Sequence, residues 1–336
     1  TKYEQKLYAS SNLTITEEST QGHYTISKPD ETQTYADVLA NINKRFNDFS
    51  LVANVGASIV NNRYEDLSYR GPIREKGIPN VFNVFDLDNT KKKARQDEWQ
   101  EQTQSVFASV EVGWKSMLYL TLTGRNDWAS QLANSSTPCF FYPSVGLSGV
   151  ISEMLTLPEF IDYMKVRGSF SSVGMPYPRN LTSPTYEYDE ANQQWKPKTH
   201  YPIKDLKPER TNSWELGLDM RLFKDFSLGF SWYLANTFNQ TFDPKVSVSS
   251  GYSKIYLQTG YVRNSGVELS LGYGHTWNNH LHWESNFTLS HNKNTIKDLV
   301  TSYIHPETGL PITQNRLDVG GLGKARFILK KGGTLG

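Results

Sequence analysis

The chain has 336 residues, with 35 Lys and Arg against 34 Asp and Glu and a net charge of +1. A nucleic-acid-binding protein carries a basic footprint, so this charge argues against nucleic acid as a partner. No run approaches the roughly 18 apolar residues of a membrane-spanning helix, and the single cysteine, Cys139, excludes an internal disulfide framework. Aromatic residues make up 13% of the chain, an excess that suits membrane interfaces or sugar stacking.

The first 60 residues predict strands. Residues 3–16, 23–27 and 49–60 alternate between apolar and polar positions, as expected when side chains point to opposite faces of a sheet. Residues 35–46 fit either a strand or a helix. The dipeptide Asn47-Asp48, typical of a tight turn, separates this segment from the next strand.

The middle of the chain repeats an order of strand, turn and connection. Residues 61–99 are expected to form a long irregular connection, and residues 152–161 a short turn or helix. A bend at Lys115-Ser116 closes a hairpin. The predicted strands of this region are residues 104–114, 118–125, 140–151 and 163–173.

Residues 211–234 give the clearest pattern, because two arms about ten residues long meet at Lys224-Asp225. That length is sufficient for a tilted strand to cross a bilayer. A helix would instead need apolar residues at spacings of three and four. Every second position of the arms is apolar, namely Leu216, Leu218, Met220 and Leu222 in one and Leu228, Phe230, Trp232 and Leu234 in the other.

A hairpin at residues 267–289, with a turn near Asn278-Asn279, repeats this pattern. Because only alternate residues of a barrel strand contact lipid, the two patterns together assign faces. We expect Leu218, Leu228, Phe230, Leu269 and Leu271 to face lipid, and Asp219, Glu268 and Glu284 to face a lumen. Aromatic residues near the ends of the first hairpin, where a girdle would lie, are Trp214, Phe223, Phe226 and Trp232.

The lengths of the connections alternate from residue 47 onward. Short turns are predicted at 47–48, 115–116, 224–225 and 275–280, a connection of middle length at 152–162, and long loops at 61–99, 129–139, 174–210, 237–258 and 292–323. Outer-membrane barrels have short periplasmic turns and long extracellular loops, whereas a soluble sandwich has no reason to keep this order. The fold class predicted is therefore all-β, an antiparallel up-and-down transmembrane β-barrel.

No motif in the sequence predicts an enzyme, a cofactor or a metal site. His280 and His282 share one strand face but have no third ligand nearby, which is weak for zinc. Residues 320–324 have the composition of a phosphate loop without its spacing or its Ser/Thr, and no G-x-S-x-G elbow is present. Aromatic side chains on long loops suit sugar rings, so the candidate ligand-binding residues are Trp195, Tyr252 and Tyr256.

Five blocks in order, from residue 120 onward, resemble the barrel of SusC/RagA-type TonB-dependent outer-membrane transporters. Each alone is a weak signal, and together they are specific. They are LTLTGRNDWASQL (120–132), FFYPSVGLSGVISE (140–153), KVRGSFSSVG (165–174), DLKPERTNSWELGLDMRLF (205–223), and YVRNSGVELSL (261–271) paired with WESNFTLSHNKNTI (283–296).

The resemblance implies a section of a 22-stranded, plugged barrel. It further implies localisation in the outer membrane and energy-dependent import of oligosaccharides or peptides. The implied partners are a SusD-like surface lipoprotein, the TonB complex acting through a plug, and membrane lipid. The plug, the TonB-contact segment and the barrel-closing strands have no counterpart in this sequence. We therefore expect residues 1–336 to be one partial barrel domain with about a dozen long strands or fewer.

Two other classes of protein remain open on the sequence. One is a passive barrel, either a porin or an adhesin, which would lack a plug domain upstream. The other is a soluble carbohydrate-binding β-protein or enzyme. The absence of a signal peptide at the start, TKYEQKLYAS, fits either a removed leader or a chain that begins inside a longer protein.

Overall fold

The structure is a computed structural model, and within its described residues no helix is long and apolar enough to cross a membrane. The described residues are 2–8, 21–179, 181, 187–189, 194–196, 200–201, 207–242, 254–255, 257–278, 281–304, 309, 311–314, 316–320 and 327–335.

The described part of the chain is almost entirely strand. The strands are β1 (Tyr3–Tyr8), β2 (Gly22–Phe46), β3 (Phe49–Pro72), β4 (Lys93–Trp114), β5 (Leu118–Ala129), β6 (Cys139–Val150), β7 (Ile161–Met175), β8 (Glu187–Asp189), β9 (Gln194–Lys196), β10 (His200–Tyr201), β11 (Glu209–Leu222), β12 (Phe226–Phe242), β13 (Lys254–Ile255), β14 (Leu257–Asn278), β15 (Leu281–Asp298), β16 (Val300–Ile304), β17 (Pro311–Gln314), β18 (Arg316–Gly320) and β19 (Phe327–Lys330). The helical elements are the 3-10 turns Val84–Asp86 and Ser130–Leu132 and the short helix α1 (Ile151–Met154).

Eleven strands form one sheet, in the order β1-β2-β3-β4-β5-β6-β7-β11-β12-β14-β15. Sequence neighbours are sheet neighbours throughout, apart from short strands that belong to the connections. Among the described residues the end strands β1 and β15 do not pair with each other, so the sheet is not closed. The predicted incomplete, antiparallel up-and-down architecture and the number of long strands are confirmed.

Several strands are longer than the alternation predicts. The segments 23–27 and 35–46 are parts of the single 25-residue strand β2, so the helical option for 35–46 is wrong. Strand β3 continues to Pro72 and β4 begins at Lys93, inside the predicted connection 61–99. The physical reason is that apolar alternation marks only the part of a strand that must be apolar on one face. Backbone hydrogen bonds continue to pair the strands beyond that part.

The alternation of short turns and long connections is confirmed. Lys115 and Ser116 both have positive φ, 51° and 59°, as in the tight hairpin turns that match the strand twist. In the hairpin of β11 and β12 the residues with positive φ are Phe223 and Lys224, one position before the predicted turn at Lys224-Asp225. The Lys224 amide of this turn donates to Asp162 Oδ2 at 2.5 Å.

The chain divides into two compact units. One comprises residues 1–36, 59–103 and 188–195, and it contains a connection held by the buried pair Ile73 and Leu87, which form an isolated β-bridge. In this connection the Thr90 hydroxyl and amide donate to Asp88, which lowers the pKa of that carboxyl. The other unit comprises residues 37–58, 104–187 and 196–336.

The buried apolar clusters of the second unit lie at the long-connection ends of its strands. One contains Ala129, Leu132, Phe140 and Tyr177, and burial there raises the pKa of the Tyr177 phenol. The other contains Val262, Ile296, Leu299 and Leu317. Between the two ends of the strands, the described residues of this unit form no such core, so the two faces of the sheet must be stabilised by different surroundings.

Candidate functional site

The strand register gives the sheet two chemically distinct faces, because directly paired residues share a face. The apolar face is defined by the row Leu120, Leu147, Gly168, Leu216, Trp232 and Val267. The polar face is defined by the row Ser148, Arg167, Gly217, Ser231, Glu268 and Ser290.

The side chains of the apolar face are uncovered. Leu147 is 51% exposed, Leu216 56% and Trp214 52%. Large apolar patches of this kind on a protein surface mark contact with a partner or a membrane. From Trp214 to Leu222 the apolar positions of β11 span about 27 Å along the strand at roughly 3.4 Å per residue, which for a tilted strand suits the apolar band of an outer-membrane barrel.

The polar face carries a charged recess of about 330 Å³, lined in part by Arg167, Asp219, Ser231 and Glu268. Arg167 is its centre. Its guanidinium donates to Asp219 Oδ2 at 3.1 Å, to Ser231 Oγ at 2.8 Å and to Glu215 Oε1 at 3.4 Å. One cation therefore bridges two carboxylates, and the excess of negative charge would favour polar or cationic groups in the recess.

A second polar cluster lies nearer the long connections. Arg125 Nε donates to Asp127 Oδ1 at 2.7 Å, and Arg125 Nη2 donates to Ser105 Oγ at 2.8 Å. The Tyr142 hydroxyl donates to the other oxygen of Asp127 at 3.0 Å. Asp127 and Ser105 are buried, so this cluster stiffens the polar face between β4, β5 and β6. The Arg125 guanidinium also lies 5.9 Å from the centre of the Phe107 ring.

Glycines on the polar face allow long side chains to lie flat across it. A Cβ on Gly217 would lie 2.4 Å from Arg167 Nε, and one on Gly266 would lie 2.5 Å from both Tyr233 Oη and the His291 carbonyl oxygen. Arg167 and Tyr233 therefore occupy the space that a side chain at those positions would take.

We predict that Arg167→Gln lowers the free energy of unfolding by no more than about 1 kcal/mol, because the pairs with Glu215 and Asp219 are partly exposed and screened by water. The loss should shrink further at high salt. The measurement is urea unfolding of the full-length protein in detergent at low and high ionic strength. Lys165→Gln is the control, since Lys165 lies on the same strand and face and forms no ion pair within the described residues. A salt-independent loss of several kcal/mol would contradict this assignment.

The three residues predicted to bind ligand lie in the long connections or outside the described residues. Trp195 lies in the short strand β9, while Tyr252 and Tyr256 lie outside the described residues. Of the histidine pair considered for zinc, His282 Nδ1 lies 2.8 Å from the Thr276 hydroxyl and His280 is outside the described residues. These three aromatic residues remain predictions.

Sequence reasoning placed Asp219 on a polar face, and it missed that Arg167 connects Asp219 with Glu215. The sequence did contain a sign of this cluster, because Arg167 lies at a polar position in the alternation of β7, as Glu215 and Asp219 do in that of β11. Register was the missing information, because Arg167 lies directly opposite Gly217, between Glu215 and Asp219. The cluster at Arg125 and Tyr142 was missed for the same reason.

Residues 2–326 match the family model described as TonB dependent receptor-like, beta-barrel. TonB-dependent receptor P26 of Formosa agariphila is 26% identical over 226 residues, which cover 65% of this chain and 23% of that protein. TonB-dependent receptor P39 of the same organism is 24% identical over 275 residues, covering 77% and 25%. The chain thus spans about a quarter of the length of the curated relatives it matches.

Solved structures share the fold. The RagAB peptide transporter superposes with a TM-score of 0.78 at 16% identity, covering 98% of this chain and 36% of that one. The outer-membrane transporter YddB from Escherichia coli gives 0.53 at 9% identity, covering 82% and 34%. The family and the fold are those of receptors and transporters rather than enzymes, and the predicted resemblance is confirmed. With a family match that extends over nearly its whole length, the chain belongs to the TonB-dependent receptor-like β-barrel family.

Proposed function

We propose that residues 1–336 are one section of the outer-membrane β-barrel of a TonB-dependent importer. The observation that carries the proposal is the sheet with two opposite faces, one uncovered and apolar, the other charged. In an outer-membrane barrel the apolar face contacts lipid and the polar face lines the lumen. The outer edges of β1 and β15, where no further long strand pairs among the described residues, would be completed by other strands of the barrel, because lipid cannot satisfy unpaired backbone groups.

The substrate we propose is an oligosaccharide or a peptide, taken up together with a SusD-like surface lipoprotein. The aromatic residues expected on the long connections suit sugar rings. The structural likeness to a peptide transporter favours the peptide alternative. The mechanism is not chemical. Loops and the lipoprotein bind the solute, and force from the TonB complex on a plug opens the lumen beside Arg167 and its carboxylates.

Uptake by a strain that carries or lacks the full gene tests this function. Growth on single oligosaccharides and on peptide mixtures should separate the two strains on one class of substrate, and removal of TonB coupling should abolish the difference. Uptake that persists without TonB would instead identify a passive porin. A full-length protein that stays monomeric in buffer without detergent would identify a soluble β-protein.

For the ligand contacts, we predict that Trp195→Ala, Tyr252→Ala or Tyr256→Ala weakens binding of the transported oligosaccharide or peptide about tenfold. The reason is that a stacked aromatic ring contributes on the order of 1 kcal/mol beyond its buried area. Titration calorimetry on the full-length protein with its lipoprotein measures this. Trp277→Ala at the opposite, short-turn end is the control, and unchanged affinity in all three variants would remove these residues from the site.

A further inference from the structure

The apolar face contains a groove of about 540 Å³ between β6, β7, β11 and β12. It exists because Gly168 lies between Leu147 and Leu216 in the same row and supplies no side chain. A Cβ at that position would lie 3.2 Å from Leu216 Cδ2. The other large apolar side chains that line the groove include Phe170, Trp214, Trp232 and Leu234. The groove is therefore lined mainly by apolar residues, and its volume is sufficient for part of a hydrocarbon chain.

Cations lie beside the long-connection end of this groove. Leu234 pairs with Ser265, and Ser265 pairs with Lys293 on the next strand. Arg263 is a diagonal neighbour of both Leu234 and Lys293, with Cα separations of about 7–8 Å, and it is on the same face. Arg263 is half-buried and Lys293 is exposed, so both head groups are accessible on this face of the sheet.

Neutral groups hold Arg263 in place. Its Nε donates to Asn236 Oδ1 at 3.0 Å and its Nη2 donates to the Tyr261 hydroxyl at 2.7 Å, while Tyr261 stacks on Phe238 at 4.8 Å. A guanidinium has five N–H donors, so several remain for an external acceptor. Lys293 forms no ion pair within the described residues.

Carboxylates near both ends of the strands already have partners within the protein, and none of these partners is Arg263 or Lys293. Asp298, opposite Tyr261 in the register, is already bound by Lys331 Nζ at 2.7 Å. At the short-turn end, Lys115 lies 3.7 Å from Asp48 and His275 lies 2.8 Å from Asp225. Lys115 and His275 at the turn end thus lie beside carboxylates of the protein, whereas no carboxylate of the described residues pairs with Arg263 or Lys293.

We propose that the groove, Arg263 and Lys293 form a site for one phosphorylated lipid of the outer leaflet. One acyl chain lies in the groove over Gly168, and the phosphate accepts hydrogen bonds from the Arg263 guanidinium and the Lys293 ammonium. Charge-assisted bonds to phosphate are among the stronger ones at a protein surface. The inference rests on the proposed function, because it needs the apolar face in lipid and the long connections outside the cell.

Native mass spectrometry of the full-length protein in mild detergent tests the site. The protein is mixed with equal amounts of dioleoyl phosphatidate and dioleoyl phosphatidylcholine. Wild type should retain phosphatidate roughly tenfold better, and Arg263→Gln combined with Lys293→Gln should abolish that preference. Lys224→Gln, at the short-turn end of β11, removes one charge far from the groove and should leave the preference intact.

Two further measurements distinguish the contribution of the groove from that of the two cations. Gly168→Leu should reduce retention of both lipids, because the added side chain occupies the path of the acyl chain, and excess inorganic phosphate should not displace bound phosphatidate. Equal retention of the two lipids by wild type, or equal losses in the double variant and in Lys224→Gln, would overturn the site. Heat-modifiable electrophoresis shows whether each variant is folded. A folded, importing protein without lipid preference refutes this inference alone, whereas a chain soluble without detergent refutes the proposed function.

Discussion

Leu269→Arg should lower the free energy of unfolding in lipid by about 2–4 kcal/mol, because an arginine near the middle of the lipid-facing surface loses its hydration. Leu269 pairs with Phe230 and Leu289 in an apolar row of β12, β14 and β15. The measurement is the urea midpoint of the full-length protein folded into vesicles.

Ser270→Arg is the matched control, one residue further along β14 and on the polar face beside Thr288. A cation there lies on the same face as Glu268 and faces water, so we expect a change within about 1 kcal/mol. Asp219 is a poor control position, since its carboxylate binds Arg167 and its replacement would also remove that pair. Equal losses from Leu269→Arg and Ser270→Arg would show that the assignment of faces is wrong.

Gly266→Val should destabilise the folded protein by about 1–3 kcal/mol through overpacking. The new Cβ would lie 2.5 Å from the His291 carbonyl oxygen, which is backbone and cannot move aside without disturbing the ladder between β14 and β15. It would also displace the Tyr233 ring, whose hydroxyl donates to Asn292 Oδ1 at 3.3 Å. The urea midpoint of the full-length protein in vesicles measures this loss.

Gly274→Val provides the comparison within the same strand and on the same face. The nearest atom to a Cβ there is the Trp283 carbonyl oxygen, 4.0 Å away. Valine fits a pleated strand well, so this change should be neutral or slightly stabilising. If Gly274→Val is as harmful as Gly266→Val, the loss reflects a general need for glycine in β14 rather than the contact with Tyr233 and His291.

Alternation was sufficient to predict the sheet, because one apolar face imposes a period of two on every strand that crosses the band. It assigned Leu218, Phe230 and Leu269 to the same face, and the register confirms that these three share a face. Alternation was not sufficient to predict the parts of the strands that extend beyond the apolar band. Strand β2 therefore looked like two short elements, since polar residues on both faces carry no period.

The polar contacts of the site could not be read from the sequence. Arg167 lies 48 residues from Glu215 and 64 from Ser231 along the chain, and only the pairing of β7 with β11 and of β11 with β12 brings them together. Likewise, the missing side chain of Gly168 leaves a groove only because strand pairing places Leu147 and Leu216 on either side of it.

By itself, then, the sequence determined the all-β class, the alternation of turns and connections, and the family, because these depend on local periodicity and on short contiguous blocks. The tertiary structure alone decided which charges pair, where Arg263 meets Asn236 and Tyr261, and which glycines are covered by a neighbouring side chain. Those features depend on strand register, and a shift of one residue would move every side chain of a strand to the other face.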